Sequence, residues 1–350
     1  MSNTINNIST GLSRFNSGRP GKPGFRILGI VITIASFGAV GWFTFKAAQS
    51  GISFTDIRWF PFALAIALHL VVLMLLPLLW EYILRFLIWK KDTGEYVRPE
   101  RLEIFKVYGR SWLARYIPGR IWMFGGRIIL AKKFNIPVGV LTRSMFLEVF
   151  FSYSMISLIG AAIVLGLFTH ILVGILAPVL AFMVLAGGFY MLQRKLGTQK
   201  TSNNQSSLLQ KMQVFARKML FGDSRLPFGD MVWGFGVYGI HACLQLVFIV
   251  LIAVSFVDLT TYQALVIAGG WALSITLGYI AFFVPGGLGV RDGLGLALFS
   301  IALDPPTAAL IVAASRIVMV LADVLFVGVL EFLSIGAKLQ HSRTYRTIGT

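Results

Sequence analysis

Residues 281–293 read AFFVPGGLGVRDG, and residues 112–127 read WLARYIPGRIWMFGGR. Each stretch sets a Pro-Gly pair in apolar surroundings and follows it with an arginine: Arg127 after Pro118 and Gly119, Arg291 after Pro285, Gly286 and Gly287. Proline lacks a backbone donor and glycine tolerates positive φ, so each stretch breaks a helix and frees backbone polar groups. What surrounds the breaks settles the class of fold. Apolar runs of about 20 residues or more, long enough to cross a hydrocarbon core of roughly 30 Å, fill most of the chain. They are Phe25 to Phe45, Phe60 to Ile88, Ser144 to Thr169, Ile171 to Leu192, Met231 to Val257, the run at 263–284, and Thr307 to Leu333. Over the 350 residues, 57% of side chains are apolar and only 13% charged, against about 25% charged in an ordinary soluble domain. A soluble globular protein is excluded. The expectation is an all-α, polytopic membrane helical bundle in which two broken or re-entrant helix hairpins interrupt the spans. At membrane depth the freed backbone groups are tolerated only inside protein or beside water, so the breaks should face a polar interior.

The 31 Lys and Arg against 14 Asp and Glu, a formal charge of +17, orient the chain, because cytoplasmic loops collect basic residues. Residues 1–24 hold Arg14, Arg19 and Lys22 without an acid and read as a disordered basic tail. A single transmembrane domain is expected over 25–335, with a cytoplasmic loop at 193–229 and a basic tail at 336–350 carrying Lys338, Arg343 and Arg346. The connections at 46–59, His170 and Asp258 hold few basic residues and belong on the opposite face. The location implied is the bacterial cytoplasmic membrane with both termini inside. Phe25 to Phe45 is too long for a signal-peptide core and reads as an uncleaved anchor. Inside the loop, Leu208, Leu209, Met212, Phe215, Ala216, Met219 and Leu220 recur at helical spacing among Lys211, Arg217 and Lys218. This segment either lies on the inner leaflet or packs against the ends of the spans.

After each break come a short apolar segment, a proline-containing turn (Pro137, or Pro305 and Pro306) and a long apolar helix with ionisable residues: Arg143 and Glu148, then Arg316 and Asp323. The chain therefore reads as a degenerate internal repeat. Arg101, Lys132 and Lys133 flank the first hairpin on the basic side, and the second must return outward for the last helix to end inside, so the two hairpins enter from opposite faces. Inverted repeats with broken helices are a recurrent transporter plan, since half-helix ends offer backbone groups and partial charge to a polar substrate. An alternative remains open at this stage: the run at 263–284 crosses completely and Leu294 to Leu303 returns as a short partner.

A central Arg or Asp costs about 2.5–3.5 kcal/mol on insertion scales and ordinarily faces a partner or a cavity. Arg316 and Asp323 share one face of their helix and each could meet a partner from Arg291 and Asp292, while Glu148 could neutralise Arg127 or Arg115. Such pairs either hold broken helices in register or hold a polar substrate. Glu81 and Arg85, one turn apart, read as an ordinary helix pair. His69 and His241 stand alone, and core hydrogen bonds are expected for them in preference to a metal. The single Cys243 excludes a disulfide framework. Gly287-Leu288-Gly289 begins a dinucleotide fingerprint but Asp292 and the lack of a preceding strand end it, and Gly289 with Gly293 reads as a small-residue helix-packing pair. No catalytic triad, phosphate-binding loop, zinc motif or nucleic-acid surface is present in the sequence, so no cofactor and no nucleic-acid partner is expected.

The segment Pro285-Gly286-Gly287-Leu288-Gly289-Val290-Arg291-Asp292, with Tyr116-Ile117-Pro118-Gly119-Arg120-Ile121-Trp122 before it, resembles the membrane region of bacterial lysylphosphatidylglycerol synthases (multiple peptide resistance factors) and their flippase-like relatives. The resemblance runs from about Phe25 to Leu333. It implies a region that moves an aminoacylated lipid between leaflets, without the soluble synthase domain that would make the lipid. By motif it points to Pro285, Gly286, Gly287, Gly289, Arg291 and Asp292, and to Pro118, Gly119 and Arg127 from the first copy. Asp292 stands where the family more often has Glu, and Gly125-Gly126 comes well after the first Pro-Gly. The expectation is a lipid flippase-like protein that is not an enzyme. Arg127, Arg291 and Arg316 would contact lipid phosphate, and Glu148, Asp292 and Asp323 would neutralise the empty site or meet an amino headgroup. The expected partners are membrane lipids, anionic, aminoacylated or polyprenyl-linked, with a lipid-modifying enzyme as a further partner. The alternatives are an accessory subunit of such an enzyme, docked through the basic loop, and a membrane transferase using Asp292 or Glu148.

Overall fold

The computed structural model describes Trp42, Phe45 and residues 57–88, 99–116, 121–197, 227–280 and 289–348, with side chains except those of Ile121, 192–197 and 335–348. The N-terminal tail, nearly all of the first apolar run, the amphipathic segment at 208–220 and both Pro-Gly pairs lie outside the described residues.

Within them the chain is helical. We number the helices α1 (Trp59–Leu87), α2 (Arg101–Leu113), α3 (Ile121–Ala131), α4 (Val138–Phe168), α5 (Ile171–Gly197), α6 (Phe228–Val254), α7 (Thr261–Ile280), α8 (Val290–Phe299) and α9 (Pro305–Ile348), with single 3-10 turns at Ala114–Tyr116 and Lys132–Phe134. Six of these, α1, α4, α5, α6, α7 and α9, are long and apolar enough to cross a bilayer. The protein is a multi-pass membrane protein. Two boundaries differ from the sequence reading by more than five residues. Helix α4 starts at Val138, ahead of Ser144, because Pro137 caps it and Arg143 is buried inside the bundle rather than left at its edge. Helix α9 continues through the basic segment to Ile348. Its start is set chemically: the Thr307 amide donates to Asp304 Oδ2 at 3.0 Å and Pro305 takes the first helical position, where its missing donor costs nothing.

The short helices α2, α3 and α8 enter two antiparallel pairs, α2 with α3 and α8 with the longer α7. In the first, Lys133 after α3 meets Glu103 at the start of α2, and Arg127 meets Ser111 near the inner ends. In the second, Gln263 at the start of α7 donates to the Ala302 carbonyl after α8 at 3.0 Å, and Gly278 lies against Arg291. The open ends of these pairs sit at opposite ends of the bundle. Glu81, toward the end of α1, lies 3.8 Å from Arg101 and so shares its end with the first pair. At the other end, Arg58 before α1 pairs bidentately with Asp258 between α6 and α7 at 2.6 Å. Both members of that exposed pair gain from each other: the hydrogen bond and charge of Arg58 hold Asp258 below its usual range. Helix α8, with 10 residues, rises about 15 Å and is too short to cross alone.

Two apolar clusters join the elements. One gathers Trp80, Tyr108, Leu147, Phe151 and Phe235 between α1, α2, α4 and α6. The other gathers Phe248, Trp271, Phe299 and Ile311 between α6, α7, α8 and α9. Helix α5 is peripheral and turns most of its large apolar side chains outward, as a lipid-facing helix must. Its grip on α4 depends on small residues. A Cβ added at Gly174 would fall 2.5 Å from Gly166 Cα and 2.8 Å from the Ala162 carbonyl oxygen, all backbone atoms that cannot yield. Gly174→Leu should therefore lower stability by about 1–3 kcal/mol, read as a fall in Tm of the detergent-solubilised protein, whereas Gly187→Leu, at a site with open space around it, should leave Tm unchanged.

Candidate functional site

Where the two helix pairs meet the other long helices, the bundle holds a cavity of about 120 Å³ that includes Arg115, Glu148, Arg291, His69 and His241 in its lining. A second cavity of about 80 Å³ shares Arg115 and Arg291 with it and reaches Arg316. Both are bordered by Trp112, Tyr153 and Tyr279, the last two stacked at 3.8 Å between ring centroids.

The charges around these cavities are assembled pair by pair. Arg127, 1% exposed, donates through Nη1 to Glu148 Oε2 at 2.5 Å and through Nε to Ser111 Oγ at 3.2 Å, with its guanidinium 4.0 Å from the Tyr108 ring centre. The other carboxylate oxygen of Glu148 accepts the Tyr108 hydroxyl at 2.5 Å. Trp80 closes this group from below, donating to Ser144 Oγ at 2.9 Å. The second pair links the two halves of the chain: Asp323 on α9, with no exposed surface, accepts Arg115 and Tyr116 on one oxygen and the Trp112 indole at 3.0 Å on the other. The guanidinium of Arg115 lies over Trp112 at 4.4 Å. In the third, Arg316 donates to Asp292 Oδ1, while Asp292 Oδ2 receives the Gly289 amide at 3.2 Å and so caps α8.

One cation stands outside this pairing. Arg291 lines both cavities, stacks over Trp271 at 4.2 Å and reaches Met319 sulfur at 3.5 Å through Nη2, while its buried Nε has no hydrogen-bond partner. Among the described residues it forms no ion pair. Among the described residues around the cavities, four arginines thus face three carboxylates, and the surplus positive charge is on Arg291.

Of the residues singled out in the sequence, the structure brings Glu148, Arg291 and Arg316 to the cavity walls and sets Arg127, Asp292 and Asp323 directly behind wall residues as their partners. Pro118, Gly119, Pro285, Gly286 and Gly287 lie outside the described residues. The two options for Glu148 resolve to Arg127, and Asp323 meets Arg115 rather than the Arg291–Asp292 segment. Gly289 has a conformational role instead of a packing one: its φ is 85°, and a Cβ on Gly293 would meet open space. The histidine expectation is met for His241, whose Nδ1 accepts from Gln245 Nε2 at 3.3 Å although its Nε2 is unpartnered, and is corrected for His69, neither of whose ring nitrogens has a hydrogen-bond partner. Sequence reasoning assigned no substrate role to Arg115, Trp112 or either histidine. The signal for Arg115 was its place between Trp112 and Tyr116 just ahead of a helix break.

Breaking a buried pair leaves an uncompensated charge. Arg127→Met should cost about 3–5 kcal/mol, read as a large loss of Tm or of folded yield, and Arg127→Met with Glu148→Met should recover most of it; a cycle without that coupling would rule out the pair as a structural clasp.

Residues 26–326 match the family described as the lysylphosphatidylglycerol synthase TM region. No curated protein and no solved structure matches the chain.

Proposed function

The chain belongs to the lysylphosphatidylglycerol synthase transmembrane-region family, and from that premise we propose that it is a lipid flippase-like carrier that binds a phosphate-bearing membrane lipid at the paired cavities and passes it between leaflets. The observation that carries this reading is the uncompensated Arg291. A buried guanidinium without a carboxylate is costly, and an anion in the cavity would offset that cost. Arginine suits phosphate because its fork donates two parallel hydrogen bonds. The family supports a lipid as the source of that phosphate, and the aromatic walls and apolar surroundings suit acyl chains. In this reading Arg115 and Arg316, held by Asp323 and Asp292, give the headgroup further contacts, and the three carboxylates keep those arginines in place. In this reading the two helix pairs, which open toward opposite ends of the bundle, give the site access from each side in turn, the plan of alternating access. The protein sits in a bacterial cytoplasmic membrane with its basic segments inside, and it handles the lipid without synthesising it.

Leaflet-resolved lipid movement in proteoliposomes tests the proposal. Arg291→Ala should reduce movement of a fluorescent anionic phospholipid by about 10–100-fold, matching loss of a charged hydrogen bond worth roughly 1.5–3 kcal/mol. Arg291→Lys, which keeps the charge but not the fork, should fall between wild type and Ala. Wild-type movement no faster than in empty liposomes would overturn the carrier reading and turn attention to an accessory role beside a lipid-modifying enzyme.

A further inference from the structure

Beside the arginines, the cavity is lined by His69 from α1 and by His241 and Gln245 from α6. His69 is 5% exposed and its ring lies 4.7 Å from that of Phe248, yet neither nitrogen is hydrogen-bonded. His241 is 3% exposed; Gln245 Nε2 donates to its Nδ1 at 3.3 Å, and its Nε2 is unpartnered. A buried polar group left unpaired is expensive, so three such nitrogens around one cavity mark a site built for a partner that the bundle does not supply.

We propose that His69, His241 and Gln245 form a hydroxyl-recognition pocket, and that the protein selects a phosphate-ester lipid whose headgroup carries free hydroxyls and no amine. The proposal rests on the lipid-site reading above and names the class of headgroup. Three observations point the same way. An imidazole with one N–H presents a donor and an acceptor, and a carboxamide presents both, which is the complement of a hydroxyl that also gives and receives. An ammonium headgroup, by contrast, finds no uncompensated negative charge among the described residues of the wall: their one carboxylate, Glu148, already has Arg127 on one oxygen and the Tyr108 hydroxyl on the other. It would also enter beside Arg115 and Arg291. Those two cations equally disfavour a divalent metal, and among the described residues no cluster of three metal-ligating side chains exists. Phosphate on Arg291 and polyol on His69, His241 and Gln245 would share the lining of one cavity.

The test is lipid binding by the full-length protein in nanodiscs, followed by native mass spectrometry and by competition. The probes are phosphatidylglycerol, phosphatidylethanolamine, lysyl-phosphatidylglycerol, a glycosyl phosphoprenol and soluble glycerol phosphate. Wild type should bind phosphatidylglycerol and the glycosyl phosphoprenol at least about tenfold more tightly than either amine-bearing lipid. Soluble glycerol phosphate, without acyl chains, should compete at least tenfold more weakly than phosphatidylglycerol; equal competition would make the ligand a free polyol phosphate and overturn the lipid assignment. His69→Leu and His241→Leu should each weaken phosphatidylglycerol about tenfold, or about 1.4 kcal/mol, and leave phosphatidylethanolamine unchanged. His69→Gln, which restores a donor and an acceptor, should retain the preference. Folding is monitored by Tm, which His69→Leu should not lower, since no hydrogen bond is lost. If lysyl-phosphatidylglycerol binds as well as phosphatidylglycerol, or the preference survives both Leu substitutions, while Arg291→Ala still abolishes binding, the hydroxyl pocket is wrong and the phosphate site stands. If no lipid binds above empty nanodiscs, the lipid-site reading fails and this proposal with it.

Discussion

Arg115 and Asp323 come from opposite halves of the chain, and their buried ion pair is the contact that ties the first short-helix pair to the last long helix. An aspartate with no exposed surface inside an apolar bundle cannot remain charged alone. The Arg115 guanidinium, the Tyr116 hydroxyl and the Trp112 indole all converge on it, so the residues just ahead of the first break are placed by a side chain more than two hundred positions away. The exposed Arg110–Glu331 pair continues the same seam toward the end of the bundle at 2.5–2.8 Å. Fixing that seam positions the tip of the first pair beside α9, and α9 in turn carries Arg316 to Asp292 on the second pair.

The same logic separates structural charges from those open to a ligand. Arg127 is enclosed by Glu148, Ser111 and two aromatic rings and does not reach the cavity wall. Arg115 and Arg316 reach it while anchored from behind. Arg291 reaches it with only aromatic and sulfur contacts. These environments form a gradient from clasp to contact, and they account for four intramembrane arginines in one small region without assigning all of them to one task. Gly278 completes the arrangement, since a Cβ there would fall 2.8 Å from Arg291 Cβ and displace the arginine from its groove.

Much of this was legible in the sequence. The apolar runs named the spans, because helices that face lipid need about 20 apolar residues whatever they pack against. Pro137 and Pro305 were legible as turns ahead of long helices, through local backbone chemistry that needs no tertiary partner. The importance of Glu148, Arg291, Arg316 and Asp323 also followed from sequence, since a charge within an apolar run always demands an explanation. The identity of each partner did not follow. Glu148 had two arginines within plausible reach, and Asp323 went to the one further away in sequence. His69 was misread for a related reason: a lone polar residue on a long helix is ordinarily satisfied by a neighbour, as His241 is by Gln245, and only the assembled bundle reveals that His69 has none.

Sequence alone therefore determined that the chain is a helical membrane protein with several long apolar helices, because span length and the cost of intramembrane charge are local properties of the residues. Tertiary structure alone decided which arginine remains uncompensated and which polar groups share its cavity. Those outcomes depend on close approach between α2 and α9, between α4 and α3, and between α1 and α6, where distances of a few ångströms select one partner among several chemically equivalent ones.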